Sequence, residues 1–514
     1  MLAATAPLKL ADGAQDTYLG AVWIVALGLV VTALPVVFHL AGQPIAIAIC
    51  VLLAVILVSV ATASIPTALI LSYLVQNLIV ALISPHIDNI DQLNSIRAYN
   101  FFMTATVWLL LTAGYWLERA RIERPMRLLI DVTTAALALI VLYFLLGLAS
   151  NAESAATYLR NIAAPFLLFQ IFALVAYRHK VPLLKPLTII AALAIAYGYF
   201  ELFAQQDLYR LVNGDVYINW RIRQEYEAGV WLRELQQTGR VMRSYLDTLS
   251  IDFLNTPLLP ETGLKLYRLV GPNFHSISFA YALVVFAIML TAFGRWWWSL
   301  LAFPLILIIG SKGALVTLAL VLGFLVLINA VGMFRNFTWY AITLAVYAAA
   351  GVYVGIHAQD YHVIGFLGGL RGFAASPLGH GIGAGGNLSL TVSALDWSQS
   401  QTLGHTNVAV ESAIGVLLYQ MGVAGLVLLA LLGWIVLVLW REYRRTHLRA
   451  FAAAALGMAA ITVNGIFQEE AMFAPLALGL MCAFAGLTLG AAYRTKPTRD
   501  LRQANHRLMT KALP

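Results

Sequence analysis

The chain has 514 residues, 61% of them apolar and only 11% charged, with a formal net charge of +8 and a mean hydropathy of +0.82. A soluble globular domain carries about 45–50% apolar and about 25% charged residues. This balance excludes a water-soluble enzyme and a disordered or collagen-like chain, and describes a protein whose main solvent is lipid.

In chain order, apolar runs of spanning length, about 20 residues each, lie at 18–38, 43–63, 66–84, 99–117, 128–149, 163–178, 186–204, 273–293, 296–311, 313–332, 338–357, 409–440, 450–467 and 472–493. The expectation is an all-α polytopic membrane protein of about 14 helices, with one or two of the shorter, Gly- and Pro-containing runs re-entrant. The first run, from Tyr18, is long enough to stay in the membrane rather than be cleaved as a signal. Cys50 and Cys482 lie far apart inside apolar runs and read as small buried hydrophobes.

Basic residues cluster at Arg119, Arg121, Arg124 and Arg127, at Arg178, Lys180 and Lys185, at Arg441, Arg444, Arg445 and Arg449, and in the tail from Arg494 to Lys511. With an even span count all four clusters share one side. The positive-inside rule makes that side the cytoplasm and places both termini there. The positive excess then needs no nucleic acid. The chain divides into an N-terminal bundle (1–204), an outer loop (205–272), further helices (273–357), a second outer loop (358–408), C-terminal helices (409–493) and a basic tail (494–514).

Both outer loops are longer than connectors need to be. In the first, apolar residues from Trp220 to Leu246 recur at helical spacing opposite a charged face. That pattern suits an amphipathic helix on the membrane surface, or equally one packed on the rest of the protein. The second holds ten glycines in 51 residues, among them Gly379, Gly381, Gly383, Gly385 and Gly386. Glycine permits sharp turns and close backbone approach, so a binding site is expected there.

Several chemistries lack their residues. Gly310-Ser311-Lys312-Gly313 has no preceding glycine at P-loop spacing, and neither a zinc-spaced Cys/His cluster nor an Asp-x-Asp pair is present. No metal and no cofactor is assigned. Asp88 and Asp91 share an outer loop, as solvated acids do, and Glu201 and Glu411 are the main acids near the outer ends of spans. Four short outer-face stretches stand out: Arg268 to His275, including Gly271 and Asn273; Ser311-Lys312-Gly313; Arg371-Gly372 followed by Pro377-Leu378-Gly379-His380-Gly381; and His405-Thr406-Asn407 followed by Glu411 and Gly422. Singly, each has a plain alternative: an interface arginine, a solvated loop charge, a structural histidine, a flexible linker.

Their order along 265–435 resembles the O-antigen ligase and O-antigen polymerase superfamily of the bacterial inner membrane. Two positions depart from its pattern. Lys312 stands where arginine is commoner, and Thr406 stands where asparagine usually follows the histidine. The resemblance implies a GT-C-like (class B) membrane glycosyltransferase with a periplasmic active site, acting without metal and with inversion. The implied donor is glycan on undecaprenyl diphosphate. The implied acceptor is a second lipid-linked repeat for a polymerase, which is preferred, or lipid A core for a ligase. Membrane lipids and a chain-length regulator complete the implied partners. By motif position, Arg268 and Arg371, with Lys312, hold the diphosphate, and His405 is the general base, with His380 and His275 as rivals. Glu411, Asn273, His380 and Asn407 are supporting residues, and Glu411 is expected to orient His405 or bind acceptor. A flippase for the same lipid-linked glycan, or a metal-dependent transferase using Asp88 or Asp91, are the competing functions.

Overall fold

A computed structural model describes residues 17–227, 266–330, 337–389 and 395–494, with a few single residues between 229 and 251. Its helices are α1 (Tyr18–Phe38), α2 (Gln43–Ser59), α3 (Ile65–Ile83), α4 (Ile90–Arg97), α5 (Tyr99–Glu118), α6 (Arg124–Leu148), α7 (Ala152–Arg178), α8 (Leu184–Leu211) and α9 (Gly214–Glu227). After a two-residue antiparallel pair, Ser250–Ile251 with Leu266–Tyr267, come α10 (Ser276–Ala292), α11 (Trp297–Ile309), α12 (Lys312–Ala330), α13 (Phe337–His357), α14 (Tyr361–Ala375) and α15 (Trp397–Leu403). The chain closes with α16 (Ala413–Met421), α17 (Val423–Thr446), α18 (Arg449–Asn464), α19 (Glu469–Phe473), a π turn over Pro475–Gly479, and α20 (Leu480–Arg494). Eight of the described helical segments are long and apolar enough to cross a membrane, and five shorter apolar helices accompany them.

Several boundaries differ from the hydropathy pattern for local reasons. The run 409–440 is two helices, α16 and α17, broken at Gly422 (φ 56°, ψ −132°). A Cβ there would overlap the carbonyl of Pro377, so the chain turns where that carbonyl approaches. Segment 358–408 is less of a loop than its glycines suggest, since it contains α14 and α15. The apolar run 163–178 is the second half of the longer α7, whose first turn is capped by Asn151 accepting from the Ser154 N–H at 2.8 Å. Of the expected amphipathic helix, α9 covers the first part. Tyr217 and Ile218 are buried against the bundle, with Tyr217 on Phe274 at 4.8 Å, so this part packs on protein. The remainder to Leu246 lies outside the described residues.

At the centre, α7 and α20 run together, with 83% and 94% of their apolar windows buried. The contact is close because Gly486 and Gly490, four residues apart, lie against the carbonyls of Phe169 and Ala173. The basic clusters gather at one end of this pair. Arg178 bonds Glu118 at 3.1 Å, Arg119 clamps Asp131 at 2.6 and 3.1 Å, and Arg494 donates to the carbonyls of Ala176 and His179.

Candidate functional site

At the opposite end of α7, 18 residues before Arg178, Arg160 lines a cavity of about 230 Å³. At 1.5 Å per residue the two arginines are roughly 27 Å apart along the helix. The walls are α3 (Tyr73, Asn77), the α4–α5 corner (Arg97, Asn100), α7 (Arg160, Asn161), the entry to α10 (Asn273, His275, Ser278), the end of the glycine-rich run (Asn387, Leu388) and α19 with the π turn (Glu469, Glu470, Leu476).

The arginines are the dominant charge. Arg97 and Arg160 are close enough to repel, and among the described residues neither pairs with a carboxylate. Among the described residues the hydrogen bond of Arg160 is from its Nε to Asn161 Oδ1 at 3.4 Å. Glu469 offsets little of this charge. Burial pushes its carboxyl up to about 8, against the opposing pull of the Asn387 N–H and the Tyr158 hydroxyl, so it is largely protonated at neutral pH. Glu470 is also raised by burial, with Glu411 adding repulsion and His362 and Arg268 opposing.

The glycine run serves this cavity by threading. Ile382 donates to the Tyr143 carbonyl at 3.1 Å, Gly381 to that of Gln420 at 2.9 Å, and Gly386 to that of Ala409 at 2.7 Å. Gly383 (φ 92°) abuts the backbone of Ala155, and Gly386 (φ 96°) abuts the Tyr158 ring hydroxyl, so both the backbone angle and the space demand glycine. The run ends with the Asn387 N–H on Glu469 Oε2 at 2.9 Å and the Leu388 N–H on the Tyr158 hydroxyl at 3.1 Å. Tyr158 itself donates to Glu469 Oε1. The residue delivered to the cavity is thus Asn387, one past the run, rather than a glycine.

Glu201, expected near an outer face, is buried and pairs with no charged group among the described residues. It accepts from the N–H groups of Val270 and Gly271 at 2.8 Å each and from the Tyr209 hydroxyl at 2.7 Å. This holds the turn that carries Asn273 and His275 to the cavity wall.

The expected constellation is divided. Asn273 and His275 line the cavity, with His275 Nδ1 spent on capping α10 through the Ser278 N–H and hydroxyl. Asn273 Oδ1 is buried without a hydrogen-bond partner among the described residues. Arg268 is half-buried beside this wall, where burial weakens its charged form and the Glu470 carboxylate supports it. Arg371 lies exposed on α14, and its Nη1 donates to His405 Nε2, leaving His405 Nδ1 against the Thr406 carbonyl at 3.3 Å. Neither lines the cavity. Lys312 is exposed at the start of α12 and, like Arg268 and Arg371, is not among the cavity-lining residues.

Glu411 does not orient His405. It pairs with His362 at 3.3 Å, and its own N–H donates to Asn387 Oδ1 at 2.9 Å. His380 is exposed, stacked on Tyr419 at 4.2 Å, and Asn407 is exposed. Thr406 is buried against Gly368, where an added Cβ would overlap the threonine hydroxyl. Asp88 and Asp91 are exposed ahead of and within α4, and do not line the cavity.

Arg97, Arg160, Asn387, Glu469 and Glu470 went unnoticed in the sequence. Only the last two left a signal, as adjacent acids between two apolar runs. No protein-family profile, curated protein or solved structure matches the chain.

Proposed function

We propose that this protein is a bacterial inner-membrane glycosyltransferase that moves glycan from undecaprenyl diphosphate, as an O-antigen or exopolysaccharide polymerase. The observation that carries the reading is the form of the cavity. Two arginines that pair with no carboxylate among the described residues face a polar chamber, and Phe473, Pro475 and Leu476 form an apolar side of it. An isoprenoid diphosphate needs both halves: guanidinium forks for its phosphate oxygens, and apolar helix surface for its tail.

In this reading the diphosphate sits on Arg97 and Arg160, with Arg268 as a neighbouring positive charge. The arginines stabilise the charge that grows on the leaving phosphate as the anomeric bond breaks. Fourteen apolar helices in a GT-C-like arrangement, the basic end in the cytoplasm and the cavity facing the periplasm complete the proposal. The pair of exposed Arg371 and half-buried His405 then lies on the outer face, at the side from which an acceptor glycan arrives. A ligase that uses lipid A core differs in the acceptor alone.

The test is purified protein given tritiated undecaprenyl diphosphate and, separately, lipid-linked repeats. Arg97→Ala and Arg160→Ala should each weaken diphosphate binding about 10- to 100-fold, the value of a charge-assisted hydrogen bond set. Chain growth from repeats alone identifies a polymerase, and growth only after lipid A core is added identifies a ligase. Binding that ignores both substitutions overturns the assignment.

A further inference from the structure

A glycosyl transfer needs a base for the acceptor hydroxyl, and the three histidines that the sequence offers are committed elsewhere. His405 Nε2 accepts from Arg371, so it takes a proton only once Arg371 has moved away. His380 Nδ1 is held at the Tyr419 carbonyl at 2.9 Å, with its ring on Tyr419, outside the cavity. His275 Nδ1 caps α10. Among the carboxylates, Glu469 is buried and receives the Tyr158 hydroxyl and the Asn387 N–H. Glu411 is occupied by His362.

One proton acceptor in the cavity remains. Glu470 lines it; its carboxylate accepts from its own backbone N–H, and among the described residues it is held by no other side chain and no ion pair. We propose that Glu470 is the catalytic base that takes the proton of the acceptor hydroxyl; this rests on the reading that the cavity holds a lipid-diphosphate-linked glycan. The acceptor oxygen forms the new bond to the anomeric carbon. The old bond to the diphosphate breaks with its electron pair passing to the phosphate oxygen, and the hydroxyl proton goes to a Glu470 oxygen. Glu470 stands on α19, while Arg97 and Arg160 stand on α4 and α7. Base and leaving group therefore sit on different helices of the cavity lining.

Burial raises the Glu470 carboxyl from its ordinary range against the pull of its own backbone N–H; Glu411 adds to the rise, His362 and Arg268 oppose it, Glu469 is its neighbour, and Arg97, Arg160 and His275 line the same cavity. A base raised toward working pH is more effective than an ordinary carboxylate.

The experiment uses full-length protein in lipid nanodiscs with lipid-linked repeats as donor and acceptor, and tritiated undecaprenyl diphosphate as binding probe. Glu470→Gln should lower kcat by about 10²–10⁴ while leaving the Kd for the probe within about threefold or tighter. The wild-type rate should rise with pH through the Glu470 titration, and the Gln variant should lose that limb. Glu470→Asp should retain part of the rate with the limb displaced. Near-normal transfer by Glu470→Gln overturns the proposal and leaves the parent reading standing. Loss of probe binding together with transfer also overturns it, because Glu470 is then a support for the cavity. A wild-type protein that binds no undecaprenyl diphosphate removes the parent reading as well.

Discussion

The pair formed by His362 and Glu411 ties α14 to the strand of chain that precedes α16. Glu411 adopts a left-handed backbone (φ 60°), unusual for a side chain of its size, and the Asn387 and His362 contacts hold it there. Burial works against the His362 charge, but the Glu411 carboxylate raises it from 6.5 to about 9. The Glu411 carboxyl, opposed by burial, is lowered from 4.5 by His362. The histidine contribution is complete below 6.5 and is lost as pH rises through about 9. The glutamate contribution is present above 4.5 and is lost as pH falls below it. The contact is therefore firm at neutral pH and released in alkali. Hydrogen-exchange protection in α14, corrected for the intrinsic rate, should fall between about pH 7 and pH 10 in the wild type. It should be lower and flat in His362→Gln; equal slopes in both would refute the assignment. The pairing was not legible in the sequence, because the partners are 49 residues apart and His362, unlike Glu411, belongs to no motif.

Helix α20 shows what an element asks of its sequence. Gly486 and Gly490 permit backbone-to-backbone approach to α7, and a side chain there meets carbonyl oxygens that cannot rotate away. Gly490→Leu should destabilise the protein by at least the 1–3 kcal/mol or so of an ordinary overpacked core. Gly433→Leu on α17, where nothing lies within 4 Å, serves as the matched control and should melt like the wild type in detergent. Equal melting of the two variants would show that the α7–α20 contact is looser than described. The spacing of Gly486 and Gly490 is a readable sign of close helix packing, yet it names no partner helix. The glycine run 379–386 is similar. Its composition marked a shaped turn, while its purpose, passing between α6, α7 and α16 to set Asn387 in place, depends on helices distant in the chain.

For the molecule as a whole, the basic clusters and the cavity occupy opposite ends of α7, an arrangement that a membrane converts into two compartments. Cys50 and Cys482 are both buried, so added cysteines report cleanly. Ser150→Cys, exposed just before α7 at the cavity end, should react with a membrane-impermeant maleimide in intact spheroplasts. Arg444→Cys, exposed near the end of α17, should react only after permeabilisation. Labelling of both from one side would overturn the orientation.

Composition determined by itself that this chain is helical and lives in lipid, because a hydrocarbon solvent tolerates few charges and leaves no backbone group without an internal partner. The short motifs also located one wall of the cavity, at Asn273 and His275. What only the tertiary structure decided is which polar residues meet. Arg97, Arg160, Asn387 and Glu470 come from four separated parts of the chain. Neither periodicity nor spacing links such residues. Packing of the helices around α7 and α20 does, and it brings them to one chamber while leaving Arg371, His405 and Lys312 outside its walls.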